Sequence, residues 1–206
     1  MIKENKNTRT QNAIETKKNI TEVARELFKE LGIEQVSVDS IVKAAGVSKG
    51  AFYLHFESKD ALVVALINDY TEIADMDYKS FLATVSDHNS VLEILALLAE
   101  KISDFIEFNI GVDNMRVLYK AHLTKTIDST SAMSYNRELY KLFSEVLERG
   151  VNQKELRDDI PVDSLAKHLI LATRGITFEW CVRYPDFNLK EQVLDHYKIL
   201  LYGLKK

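Results

Sequence analysis

Apolar residues recur along this chain at the three-to-four spacing of amphipathic helices, and no stretch alternates as a half-buried strand does. Residues 1 to about 12 lack that spacing and read as a disordered, mildly basic arm. A helix is expected from about Ala13 to Leu31, with Ile20, Val23, Ala24, Leu27, Phe28 and Leu31 on one face and Gly32 as its stop. Two short helices follow. In the first, Val38, Ile41, Val42 and Ala45 share a face, Ser37 or Asp39 can cap the start, and Gly46 supplies a left-handed end. Val47 plugs the turn and Ser48 caps the second, in which Phe52 and Phe56 point to a core while Lys49, Gly50, Tyr53 and Leu54 face away. Ser58 can cap a fourth helix with Lys59 exposed, almost wholly apolar from Ala61 to Ile67 and continuing through Tyr70 and Ile73. A helix apolar on most faces is buried between two bodies, so this one reads as a connector.

The second body begins near Asp75. Asp87 to Ser90 reads as a loop, followed by a helix from Val91 to about Phe108 that is apolar nearly all round and broken by Gly111. Further helices are expected from about Asp113 to Thr124 and, after a polar loop from Thr126 to Ser131, from about Ala132 to Gln153, with Tyr135, Leu139, Leu142, Phe143, Val146 and Leu147 as its stripe. Pro161 opens a helix from Val162 to about Tyr184. After a turn at Pro185 to Asn188, a last helix carries Val193, Tyr197, Leu200, Leu201 and Leu204 on one face. The fold class is all-α.

Composition narrows the class. Two prolines and seven glycines in 206 residues leave long uninterrupted segments, and 46% apolar residues suffice for a core. The single cysteine, Cys181, leaves no internal disulfide, in keeping with a reducing cytoplasm. The polar N-terminus has no signal-peptide core and no apolar run approaches the ~20 residues of a membrane span, so a cytoplasmic protein without membrane contact is expected. The net charge of −4 is unevenly spread: residues 1 to 60 carry ten Lys or Arg against nine Asp or Glu, the remaining 146 carry seventeen against twenty-two. An acidic body behind a near-neutral head fits basic contacts that are local to the head.

The pair of short helices has the form of a helix-turn-helix, whose second helix enters the major groove with small residues permitting close approach and longer polar ones reaching phosphates and base edges. The run AGVSKGAFYLHFESKDAL, preceded by VSVDSIVKA, resembles the DNA-binding signature of the TetR family of bacterial transcriptional regulators. The resemblance implies a three-helix DNA-binding head, residues 1–57, and a helical effector-binding and dimerisation domain, residues 58–206. It implies that Ser48, Lys49, Gly50, Ala51 and Tyr53 face the groove, with Ser37, His55 and Lys59 on the DNA backbone. The family pattern often has Thr where this chain has Ala51. Lys17 and Lys18, at the start of the support helix, are further candidates for the backbone. The terminal segment GITFEWCVRYPDFNLKEQVLDHYKILLYGL resembles the paired helices through which such regulators form homodimers. There Leu169, Thr173, Gly175, Ile176 and Trp180, with Val193, Tyr197, Leu200 and Leu201, are the interface candidates, Gly175 admitting close approach of a partner helix.

A cavity between helices needs apolar walls and a few oriented polar groups. Phe105, Phe108, Met115, Tyr119 and His122, together with Tyr140, Phe143, Arg174 and Phe178, are candidates to line one for an unidentified small-molecule effector. No cofactor is expected, and the five histidines and Cys181 show no paired metal-ligand spacing. Gly46 to Gly50 also satisfies G-x-S-x-G, the nucleophile elbow of hydrolases. That elbow follows a buried strand, and the residues before Gly46 read as a helix, so no enzyme activity is expected. The expectation is a homodimeric repressor released from a palindromic DNA operator by a small molecule, with a response to a protein partner, or no effector, as the alternative.

Overall fold

Serine hydroxyls start the helices of the head. In the computed structural model, which describes residues 2–86, 88–125 and 127–206, with side chains from Thr10 onward, Ser37, Ser48 and Ser58 each accept a backbone N–H three residues on. These caps begin α2 (Val38–Ala45), α3 (Lys49–His55) and α4 (Lys59–Thr84). Gly46 closes α2 in the left-handed conformation, φ 66°, which a side chain would strain. α1 spans Ile2–Leu31, so the arm expected over residues 1 to 12 is helical from residue 2 on. The Asn19 amide donates to the Ala45 carbonyl at 2.8 Å and ties α1 to the end of α2. Ile20, Ala24 and Phe28 of α1, Ile41 of α2, and Phe52 and Phe56 at the end of the pair are buried together. Leu31 is exposed, beyond that core.

α4 then runs unbroken through Asp75, where the second body was expected to begin. It packs on α6 (Val112–Thr124) and on α8 (Glu138–Asn152). α5 (Val91–Asp104) continues into a π-helical turn, Phe105–Ile110, that ends at Gly111, φ 82°. α9 (Val162–Arg183) and α10 (Leu189–Tyr202) complete the body, α10 packing on both α5 and α9. Its core joins Val91, Leu95 and Leu98 to Leu147, Leu169, Val193 and Tyr197, all at most 2% exposed.

The single long helix expected from Ala132 to Gln153 is two: α7 (Thr130–Met133) and α8. The Ser134 hydroxyl accepts the Asn136 N–H at 2.9 Å, offering the backbone a turn instead of a helix. Arg137 turns inward, donating to the Ala132 carbonyl and forking onto Asp75 of α4 at 2.6 and 3.3 Å. Asp87 and Thr126, both expected in loops, lie outside the described residues. Among the described residues no strand forms, only an isolated bridge between Leu156 and Lys205.

Gly150, inside α8, is explained by packing: a Cβ there would sit 2.6 Å from Leu156 Cδ1 and 2.8 Å from Val91 Cγ1. Gly150→Ala is expected to destabilise the protein by about 1–3 kcal/mol through overpacking despite its better helix propensity. Urea unfolding measures this, and an unchanged midpoint would show that the contact yields freely.

Candidate functional site

On α3 the buried Phe52 sets the rotation of the helix, and what it turns outward is Lys49, Gly50, Tyr53 and Leu54, all exposed. Ala51 and His55 are half-buried at the edges of that face. Lys17 and Lys18 are exposed on α1, with the Lys17 ammonium 5.8 Å from the Phe56 ring centre. The Ser37 and Ser48 hydroxyl oxygens are engaged as caps; that of Ser37 accepts from Ser40, whose own hydroxyl accepts the Ser37 N–H. Lys49 is paired with Asp39 of α2 at 2.7 Å, and that carboxylate raises the lysine's pKa. Asp39 was read only as a possible cap; the turn brings it to the exposed Lys49.

Lys59 departs from expectation. It is half-buried, its ammonium donating to the Ile33 and Val36 carbonyls at 2.8 and 3.0 Å. Those carbonyls lie in the turn after α1, where outward-pointing oxygens attract a cation. Two of its three donors therefore clamp the head to the first residue of α4. Gly46 to Gly50 join helix to helix, not strand to helix, so the nucleophile-elbow geometry does not form.

The body encloses a cavity of about 90 Å³ between α4, the π turn, α6, the α7–α8 segment and α9. Of the residues expected there, Phe105, Met115, Tyr119, Tyr140, Phe143 and Arg174 line it. Three others do not. Phe108 follows Lys101 and Asp104 at helical spacing on the solvent side and is 76% exposed. His122 lies a turn further along α6, exposed, with Nδ1 2.9 Å from the Ser129 hydroxyl. Phe178 packs edge-on against the Tyr119 ring from outside. Sequence reasoning missed Ile67, Thr71, Ala74 and Tyr78, four wall residues from one helix, α4, as well as Arg137. Their helical spacing was visible in the sequence, but the cavity they face was not. A second, more polar cleft of about 550 Å³ lies between α1, the π turn and the end of α9. Cys181 is buried beside it, its thiol pushed up to about 11 by burial, which makes it a poor nucleophile and metal ligand.

The fold divides the dimer candidates. Leu169, Thr173, Trp180, Val193, Tyr197 and Leu201 are buried within one protomer, because they are the faces with which α9 and α10 meet each other and the body core. Ile176 and Leu200 are half-buried at the edge of that contact. The outward face of α9 instead carries Leu171, Gly175, Phe178 and Val182 at helical spacing, and α10 adds Ile199 and Tyr202, all exposed. A Cβ on Gly175 would meet nothing within 4 Å. No helix among the described residues is long and apolar enough to cross a membrane.

A three-helix head with an exposed recognition helix, joined by one helix to a hollow helical body, defines the class: a helix-turn-helix DNA-binding regulator. Residues 20–66 match the model of the bacterial regulatory proteins, tetR family. The chain is similar to the HTH-type transcriptional repressor KstR2 of Rhodococcus jostii (strain RHA1), 27% identical over 185 residues, covering 90% of this chain and 89% of that one. In fold it resembles Thermus thermophilus FadR, a TetR-family repressor solved with lauroyl-CoA, at 22% identity and TM-score 0.66 over 90% of this chain and 93% of that one. It also resembles a TetR-family regulator from Pectobacterium atrosepticum, at 18% identity and TM-score 0.74 over 95% and 96%. Residues 20–66 thus carry the DNA-binding domain of the bacterial regulatory proteins, tetR family, and over most of its length the chain is similar to TetR-family transcriptional regulators.

Two substitutions on the head should act oppositely on operator affinity. If the exposed face of α3 meets DNA, Asp39→Asn removes a negative charge beside it and releases Lys49, so binding should tighten several-fold and its salt dependence should steepen by about one counterion. Tyr53→Ala, at a half-exposed position, should weaken binding while the circular dichroism spectrum stays helical. Fluorescence anisotropy over a salt series measures both; unchanged affinity for the pair would remove this face from the interface.

Proposed function

We propose that this protein is a homodimeric repressor that leaves a near-palindromic operator when a small molecule occupies the body cavity. The observation that carries this reading is α4. Ile67, Thr71, Ala74 and Tyr78 form one wall of the cavity, while Lys59 at the start of the same helix grips the turn between α1 and α2. In this reading the head, residues 1–57, is carried by the first turn of a domain comprising residues 58–206. Ser48, Lys49, Gly50, Ala51 and Tyr53 read the groove. Ser37, His55, Lys17 and Lys18 meet the backbone, and the third donor of the Lys59 ammonium can join them.

The cavity is well below the ~300 Å³ at which ligand pockets usually begin. A ligand of any length must push its walls apart, and α4 is the wall that leads to the head. α6 lines the cavity through Met115, Leu118 and Tyr119 and meets the start of α4 through Lys120 and Asp60 at 3.2 Å, a second route to the same end. The ligand acts only through its preference for one arrangement: about 5.5 kcal/mol carries a two-state protein from 1:99 to 99:1. The acyl thioester bound by the Thermus thermophilus relative supports a largely apolar occupant. No paired metal-ligand spacing or catalytic constellation enters this reading, and the protein is no enzyme in it.

Two recognition helices must sit about 34 Å apart to read successive major grooves, which requires a two-fold dimer. We place its interface on the exposed stripe Leu171, Gly175, Phe178 and Val182 with Ile199 and Tyr202. Footprinting on the DNA upstream of the gene should show protection of a symmetric site. Val182→Asp should give a folded monomer by analytical ultracentrifugation and lose that footprint. A Val182→Asp protein that stays dimeric would move the interface elsewhere, and absence of any protected site, there or in selection from random DNA, would overturn the reading.

A further inference from the structure

Most polar side chains on the cavity wall are engaged by hydrogen bonds or ion pairs inside the protein. The Thr71, Thr173 and Thr177 hydroxyls donate to carbonyls four residues back, at 2.7, 3.2 and 2.8 Å. The Tyr119 hydroxyl donates to the Arg174 carbonyl at 3.0 Å, and the Tyr140 hydroxyl to the Asp163 carboxylate, which Lys167 also holds. Arg137 forks onto Asp75. Arg174 is different. Its guanidinium lines the cavity half-buried, with no carboxylate at ion-pair distance among the described residues. It lies over the Tyr135 ring, 5.0 Å from the centre. Tyr135 also takes a side-chain hydrogen bond from it; the stacked face and that contact leave the remaining N–H groups of the five-donor guanidinium to donate.

Arg137, Asp75 and Arg174 leave the cavity with one uncompensated positive charge. A cation withdrawn from water without a counter-ion is unfavourable, and burial, with Arg137 nearby, lowers the Arg174 pKa. The rest of the wall, including Ile102, Phe105, Met115, Leu118, Phe143 and Ile170, is apolar. We propose that the cavity takes an apolar carboxylic acid, its carboxylate held two-pronged by the Arg174 fork and its hydrocarbon body lying among these residues. The planar fork matches a carboxylate, whereas an ester or thioester carbonyl brings no charge to neutralise. This inference rests on the cavity being the effector site and names the chemistry of its occupant.

Titration calorimetry of the full-length protein with straight-chain acids from butanoate to dodecanoate, their methyl esters, and lauroyl-CoA tests it. At least one acid should bind, and its methyl ester should bind about tenfold more weakly or worse, because a charge-assisted pair is replaced by a neutral one. Arg174→Gln should reduce the acid to the level of the ester and leave the ester unchanged, with Arg174→Lys between. No binding by any acid, equal binding of acid and ester by the wild-type protein, or an undiminished acid in Arg174→Gln would each overturn the assignment. The acid and ester comparison stands even if Arg174→Gln fails to fold. Operator binding is read separately. Acids that bind through Arg174 without moving DNA affinity leave the ligand class standing and overturn the regulatory reading. Operator release by lauroyl-CoA or a methyl ester but by no acid does the reverse.

Discussion

The continuity of α4 is the constraint on which the rest depends. Leu62, Val63, Val64, Leu66 and Ile67 are all nearly inaccessible, because the head packs against one side of this stretch and the body against others. Burying a large aliphatic side chain contributes roughly 1.5–3 kcal/mol, so five such residues between Leu62 and Ile67 bind both bodies to a single rod. Three partners then fix the rod along its length. Lys59 clamps the turn of the head, Asp60 meets α6, and Asp75 meets Arg137 in the α7–α8 segment. A displacement of the cavity wall has no break in the helix at which to dissipate.

The Arg137–Asp75 pair also explains why the body chain is irregular where it is. The guanidinium is inserted between Asp75 and the Ala132 carbonyl, which needs the chain to leave the helix at Ser134. A buried pair of this kind is weak evidence for stability, since desolvation offsets much of the attraction, and stronger evidence for a fixed geometry. It holds the α7–α8 segment to α4 at the cavity's edge. The π turn between α5 and Gly111 plays the corresponding part opposite, with Phe105 and Ile106 on the cavity and Glu107 to Asn109 on the cleft beside α1.

Much of the head was legible because its signals are local. Ser37, Gly46, Ser48 and Ser58 act on groups three or four residues away, so spacing alone locates their helices. The direction of Lys59 was not legible: its partners are 26 and 23 residues distant, and nothing in a serine-lysine sequence tells a solvated ammonium from an inward one. The same holds for Arg137 and Asp75, 62 residues apart. On α9 the difficulty was different. Leu165, Leu169 and Thr173 form one apolar stripe and Leu171, Phe178 and Val182 another, and periodicity cannot say which faces the core. The stripe proposed from the sequence for the dimer interface is the one buried within the chain. Six of the residues picked out by helical spacing in the body line the cavity, while the α4 wall was missed because that helix was read as a connector buried between two bodies.

The central claim is that the state of the cavity sets the affinity of the head through α4, and it can be tested without knowing the ligand. Ala74 lies on α4, buried, with its side chain on the cavity. Ala74→Phe fills the cavity from the connector itself and forces the wall to move as a ligand would. The measurement is operator affinity of this variant by fluorescence anisotropy, with the unfolding transition recorded to confirm a folded protein. The account predicts at least a tenfold loss, about 1.4 kcal/mol, within the usual range of coupling between distant sites. A folded Ala74→Phe protein that binds its operator as tightly as the wild type would contradict it.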